Sequence, residues 1–246
     1  MSNIQITAII TAAENKTGSY NQISKILDYT LGKNLDQIDE FIIATDYQSP
    51  EVEKICQKYS IKFIKTNKFY ENNAQFDRGK VVSSILKNIK SGWILHMDAD
   101  ILLPKDFKQK INTINFNKSK LYGARRIMFS DLTKTKKWFY ANENPEDLSD
   151  HIPYGYCWGY FQLFNMESPQ IQTSDPENIY PSTGTVYEQD GWFRNKWGFM
   201  KENYYKKGKL FPEEEDLIVK GNIEELPLFV GHLGDKDSSK RDFSLN

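Results

Sequence analysis

Apolar residues recur along this chain with two different periods, and the switching between them divides the first half into strands and helices. Ile4 to Ile10 is apolar and β-branched and stops at the polar run Thr11-Ala12-Ala13-Glu14-Asn15, which predicts a buried strand ending in a loop. Ile23, Ile26, Leu27, Thr30 and Leu31 then follow helical spacing. Phe41 to Thr45 predicts a second strand, closed by Asp46. Ser49-Pro50-Glu51 carries the cap, the proline and the acid of a helix start, and Val52, Ile55, Cys56 and Tyr59 supply its buried stripe. Ile61 to Ile64 predicts a third strand, and Gly79 to Ile89 an amphipathic helix with Val81, Val82, Ile85, Leu86 and Ile89 on one face. Trp93 to Met97 is a further apolar strand, and Pro104 sets the start of a helix at the next residue. Strands alternating with helices make an α/β protein with a mostly parallel central sheet flanked by helices. Ligands in such sheets gather at the carboxyl ends of the strands, where Thr11, Asp46, Asn67 and Asp98 fall.

The second half is less regular. Leu121 to Phe129 predicts a strand, Lys134 to Trp138 a helix start or an excursion, and Asn142 to Asp150 a polar, acidic loop. Gly155 to Met166 is long and aromatic, Val186 to Trp197 predicts a helix after the turn Pro181-Ser182-Thr183-Gly184, and Leu226 to His232 a last strand before a polar tail. Aromatics make up 14% of the chain and crowd this half, as core area and as flat faces for the C–H side of a sugar ring.

Composition narrows the function. With 246 residues the chain is long enough for one domain with a sizeable core. Lys and Arg number 32 against 33 Asp and Glu, so no global basic field invites nucleic acid, and any anion site must be local. The two cysteines, Cys56 and Cys157, are too far apart for a thiolate metal site and too few for a disulfide framework, which fits a reducing compartment. No apolar run approaches a membrane span, and Met1-Ser2-Asn3-Ile4-Gln5 is no signal-peptide start, so a cytoplasmic protein without an integral membrane segment is expected.

The densest chemistry lies in Gly92-Trp93-Ile94-Leu95-His96-Met97-Asp98-Ala99-Asp100, an apolar strand driven into two carboxylates one residue apart. In an extended chain residues two apart point the same way, so Asp98 and Asp100 are expected to converge. Charges that close repel unless a cation lies between them, and oxygen ligands of this kind suit Mg²⁺ or Mn²⁺. The plain alternative is an acidic turn.

Together with the helix opening Phe76-Asp77-Arg78-Gly79-Lys80, this pattern resembles the family-2-like glycosyltransferases of the GT-A fold, a Rossmann-like fold for nucleotide-diphospho-sugars. The resemblance implies a single domain over 1–246, with a nucleotide-sugar half at 1–104, an acceptor half at 105–234 and a tail at 235–246. It implies a hexosyltransferase-type enzyme that moves sugar from a UDP- or GDP-sugar to a glycan or other hydroxyl acceptor. Asp98 and Asp100 would bind Mn²⁺ or Mg²⁺, with His232 in Val230-Gly231-His232-Leu233-Gly234 as third ligand or as a structural histidine. Asp98 would also meet the donor. The catalytic base would come from Tyr187-Glu188-Gln189-Asp190-Gly191, with Asp190 ahead of Glu188 and a helix-dipole role open for both, and an acid placed there implies inversion. Base and ribose would lie near Thr11, Ala13, Glu14 and Asp46, although Asp46 also suits a turn. Arg78 and Lys80 would reach the diphosphate or form an ordinary helix start.

Two other functions compete. A sugar nucleotidyltransferase also uses carboxylate-held Mg²⁺, but its glycine-rich loop after the first strand has no counterpart before Gly18. A non-catalytic carbohydrate-binding module on a degenerate fold of the same kind would use the aromatics of 154–164.

Overall fold

The computed structural model describes residues 4–14, 23–73, 76–129, 131–141, 148, 159–182, 186–198 and 221–233. The chain enters through strand β1 (Ile6–Thr11), helix α1 (Ile23–Asn34), β2 (Glu40–Thr45), α2 (Pro50–Lys58), β3 (Lys62–Lys65), a 3-10 turn at Lys68–Asn73, α3 (Arg78–Leu86) and β4 (Trp93–Met97). It continues through a two-residue strand β5 (Ile101–Leu102), α4 (Phe107–Thr113), β6 (Leu121–Phe129), α5 (Leu132–Ala141) and β7 (Phe161–Asn165). The short helix α6 (Pro169–Gln172), a 3-10 turn at Pro176–Asn178, α7 (Val186–Arg194) and β8 (Ile223–Leu233) complete it. None of the described helices is long and apolar enough to cross a membrane.

All eight strands join one sheet in the order β3-β2-β1-β4-β7-β6-β8-β5. The α/β expectation is met, but the sheet is mixed. β1 runs parallel to both β2 and β4, and β2 to β3, whereas β7 is antiparallel to β4 and β6, and β5 is antiparallel to β8. Apolar periodicity marks a segment as a strand without recording its direction, and the aromatic run that supplies β7 enters between β4 and β6 against the grain. β8 then lies parallel to β6, with a register shift between Gly123 and Arg125. Pro227 sits across from that shift, where the ladder does not ask for its missing N–H.

Side chains alternate across the sheet and assign the helices to faces. Ile6, Ala8 and Ile10 of β1 and Trp93, Leu95 and Met97 of β4 pack with Leu27 and Leu31 of α1, Cys56 of α2 and Phe107 of α4. Ile9 and Ile94 point the other way, onto Val81, Val82 and Ile85 of α3 and Phe193 of α7. Leu27, Val82 and Phe193 are fully buried, each contributing about 1.5–3 kcal/mol of transfer free energy.

Local differences have local causes. The helix after Pro104 begins at Phe107 rather than at Lys105, because Pro104 to Phe107 first close a turn in which Phe107 N–H donates to the Pro104 carbonyl at 3.0 Å. Leu132–Ala141 is a helix, and Phe129 and Trp138 pack with tilted rings in its footing, ring centres 5.5 Å apart. Gly92 turns the chain into β4 at φ 106°, a conformation side-chain-bearing residues seldom adopt. Cys157, His151, most of the acidic loop and the polar tail lie outside the described residues.

Candidate active site

β4 ends at Met97, and the two aspartates follow on a turn rather than on extended chain. Their convergence therefore has a different origin from strand alternation. The turn is closed by Ile101 N–H donating to the Asp98 carbonyl at 3.3 Å, and Asp98 N–H donates to the Tyr160 carbonyl at 3.2 Å. The chain then pairs with β8, Ile101 opposite His232, and Leu233 N–H donates to the Asp100 carbonyl at 3.0 Å. One strand thus carries His232 to Asp100, Nε2 to Oδ2 at 3.2 Å.

Asp98, Asp100 and His232 each offer one ligand atom, all within 4.8 Å of one another. Asp100 is fully buried and His232 nearly so, while the Asp98 carboxylate keeps 25% of its surface exposed. Ligands around one ion with bonds of about 2.1 Å lie at most about 4.2 Å apart, so a small inward movement closes the set. Two carboxylate oxygens and one imidazole nitrogen form a donor set that could hold a divalent metal ion. Arg126 adds a condition, since its guanidinium lies 3.2 Å from His232 Nδ1 and can only donate. Nδ1 is then the acceptor and Nε2 carries the proton toward Asp100, so ligation through Nε2 requires the other tautomer and a parting from Arg126. Arg126 also stacks 4.8 Å over the Tyr160 ring, while its neighbour Arg125 turns the opposite way to Glu225 at 2.6 Å.

Behind the turn, Arg78 joins the two acidic parts of the site. It leaves the first turn of α3 and is 4% exposed, with one nitrogen 2.7 Å from Asp98 Oδ1 and the other bonded to Asp190 Oδ1. Burial disfavours its charge, but Asp190, Tyr180 and Asp98 outweigh that and hold its pKa above the ordinary value. Burial raises Asp190 above the usual carboxylate range, with Arg78 opposing the rise and Asp98 adding to it. The Tyr180 hydroxyl lies 2.5 Å from the same Oδ1, and burial and Asp190 keep its pKa well above normal. Both partners engage Oδ1. Oδ2 faces Gly159, where any Cβ would collide with this carboxylate.

Glu188 stands two residues earlier in α7, half-buried and on a different side of the helix from Asp190. Gln189, between them, has a structural task that the sequence pattern did not reveal. Its side-chain oxygen accepts from Gly79 N–H at 3.0 Å and its amide donates to Asp77 at 3.3 Å, while Asp77 caps α3 by accepting from Lys80 N–H at 3.0 Å. Gly79 leaves room for the Pro181 carbonyl, and Ser83 exchanges hydrogen bonds with the Tyr180 backbone at 2.8 and 2.9 Å. These contacts seat α7 on α3 and fix Asp190 beside Arg78.

His96 faces this buried side and not the metal-type trio. Its Nδ1 lies 3.5 Å from Gln162, its ring meets Tyr180 edge-on, and burial together with Arg78 lowers its pKa to about 3. Along the same edge of the sheet, Ala12 N–H donates to the Ala44 carbonyl at 2.9 Å and Glu14 N–H to the Ser49 hydroxyl at 2.7 Å. Asp46 Oδ1 accepts from that hydroxyl and, at 3.1 Å, from Gln48 N–H. Thr11, Ala13, Glu14 and Asp46 are therefore brought together at the ends of β1 and β2, with Asp46 also serving as the turn residue. Lys80 points its ammonium at Glu71, 3.6 Å away.

No family model matches the chain, and no curated protein matches it in sequence. Among solved structures, glucosyl-3-phosphoglycerate synthase of M. tuberculosis shares 13% identity over 67% of this chain and 58% of its own, with a TM-score of 0.36. Mannosyl-3-phosphoglycerate synthase from Rubrobacter xylanophilus gives 11%, 67%, 54% and 0.40. The 4-diphosphocytidyl-2C-methyl-D-erythritol synthase from Anaerococcus prevotii gives 17%, 78%, 83% and 0.43. The chain spans little more than half the length of the two phosphoglycerate-named synthases, and similarity of this extent assigns no reaction to it.

Proposed function

We propose that this chain is a metal-dependent glycosyltransferase of GT-A type, moving sugar from a UDP- or GDP-sugar to a hydroxyl acceptor with inversion. The observation that supports it is the meeting of Asp98, Asp100 and His232 at the end of β4, tied through Arg78 to the buried Asp190. Mn²⁺ or Mg²⁺ held by Asp98, Asp100 and His232 would supply positive charge where a nucleoside diphosphate leaves.

The protein's own groups do the rest. Arg78 sets one positive charge against the carboxylates of Asp98 and Asp190. Asp190 takes the proton of the attacking hydroxyl through Oδ2, since Arg78 and Tyr180 both bond to Oδ1, and burial makes that carboxylate a stronger base than a solvated one. Glu188 is the second choice for this step. Thr11, Ala13, Glu14 and Asp46 receive base and ribose, and Lys80 turns from Glu71 toward the diphosphate. Residues 1–104 serve the donor and 105–234 the acceptor, within one domain, in a cytoplasmic enzyme.

The test is a panel of UDP- and GDP-sugars with Mn²⁺, Mg²⁺ or chelator, read as released nucleoside diphosphate. Turnover that needs metal and disappears in Asp100→Ala supports the proposal. No release and no metal-dependent binding of any donor would sink it. Pyrophosphate released from nucleoside triphosphate and sugar phosphate would make the chain a nucleotidyltransferase instead.

A further inference from the structure

Helix α1 lies under the aspartate turn, and two of its residues one helical turn apart reach into the turn's backbone. The Thr30 hydroxyl is 2.7 Å from the Ala99 carbonyl, which belongs to the residue between the two aspartates. Asn34 donates through Nδ2 to the Ile101 carbonyl at 2.8 Å and accepts through Oδ1 from Leu103 N–H at 2.9 Å, which completes both ends of its amide. Thr30 is 1% exposed and Asn34 is fully buried, so neither bond competes with solvent.

Besides the Ile101 N–H bond to the Asp98 carbonyl that closes the turn, its backbone bonds come from the approach to β7 and from β8: the Tyr160 carbonyl accepts from Asp98 N–H, and Leu233 N–H donates to the Asp100 carbonyl. Between them, only α1 holds the Ala99 carbonyl, the Ile101 carbonyl and Leu103 N–H among the bonds described. A helix gains little from a buried threonine in its interior or a buried asparagine at its last residue. Their propensity for helix is modest, and a buried amide without partners is costly. Four residues apart, the two share the face of α1 that meets the turn.

We infer that Thr30 and Asn34 are positioning residues for the metal site, setting the orientation of the Ala99–Asp100 peptide and with it the separation of the two carboxylates. Thr30 has alternative acceptors in its own helix, the Ile26 and Leu27 carbonyls at 3.1 and 3.2 Å, but those groups belong to the helix ladder and the contact with Ala99 is the shortest. Removing the hydroxyl therefore releases the turn and leaves α1 intact.

This inference rests on the metal reading of Asp98, Asp100 and His232, and the experiment separates the two. Binding of Mn²⁺ alone to the full chain is followed by the electron paramagnetic resonance of the free ion for wild type, Thr30→Val, Thr30→Ser and Asn34→Leu, with thermal melting alongside. Outer contacts that orient metal ligands carry about 10- to 100-fold in affinity, so Thr30→Val should bind Mn²⁺ at least about tenfold more weakly. Thr30→Ser, which keeps the hydroxyl, should bind as wild type does. Asn34→Leu provides a second variant of similar shape, with the same expected weakening should Thr30→Val fail to fold. If wild type binds Mn²⁺ and the folded Val or Leu variants bind it equally well, α1 is only scaffold and the inference is wrong, whatever happens to their melting temperature. A wild type that binds no Mn²⁺ removes the metal reading itself, and this inference with it.

Discussion

Replacing Arg78 by Met puts the central electrostatic claim at risk. The guanidinium is 4% exposed and touches carboxylates from two distant parts of the chain, 2.7 Å from Asp98 and in direct contact with Asp190. Methionine fills similar volume but leaves two facing carboxylates without a cation. Breaking a buried pair by deleting one member costs about 3–5 kcal/mol, mainly because the surviving charge stays buried. Here the survivor has a way out, since Asp190 already sits above the usual carboxylate range and without Arg78 rises further. An acid whose folded pKa exceeds its unfolded one binds more protons in the native state, so the variant loses stability as pH rises between those two values. Urea denaturation at pH 5 and pH 8 should therefore show the larger loss at pH 8. Adding Asp190→Asn removes the stranded charge, so the double variant should recover a coupling of about 1–3 kcal/mol and lose the pH slope. A single variant that costs under about 1 kcal/mol, or two substitutions that merely add, would refute the claim that this ion pair joins the two halves of the site.

Three further outcomes follow from the same geometry. Gly159→Ala drives a methyl into the Asp190 carboxylate, and overpacking of this kind should cost about 1–3 kcal/mol in melting experiments and depress any metal-dependent transfer. His96, lowered to about 3 by burial and Arg78, stays neutral when folded and takes a proton when unfolded; stability should rise with pH from about 3 to the ordinary value near 6.5 and flatten above it. The full effect is of order 4–5 kcal/mol, and titrating unfolding free energy against His96→Phe should remove the slope. Cys56, whose thiol burial pushes up to about 11, should resist iodoacetamide at pH 8 in the folded protein and react once urea unfolds it; rapid labelling of Cys56 in the native chain, located by peptide mapping, would contradict its placement on the buried face of α2.

The parts of the fold that were legible were those with a strong local period. Val81, Val82, Ile85 and Leu86 mark α3, and Trp93 to Met97 mark β4, because each face buries a repeating stripe. The parallel run of β1 to β4 was legible, but the antiparallel course of β7 was not, because β7 pairs with β4 through groups that every residue carries. The acids at 98 and 100 were conspicuous for their apolar setting, yet they converge through a turn and a distant strand, which residue spacing does not encode. Tyr180, Gln162 and Gln189 carry no signal in the sequence because single polar residues in irregular segments have no period, and only packing reveals that they surround Asp190 and the start of α3. Gly79 and Gly159 are intelligible only once it is known which backbone or carboxylate occupies the space of their missing side chains.

Strand β8 has a consequence for how the protein is made. Its pairing with β5 brings His232 against Asp100, residues that leave the ribosome far apart in time. A nascent chain that has already assembled β1 to β4 holds both aspartates but lacks their imidazole partner. Competence for chemistry would thus wait for β8, so a chain interrupted before that strand would be inert rather than half-active.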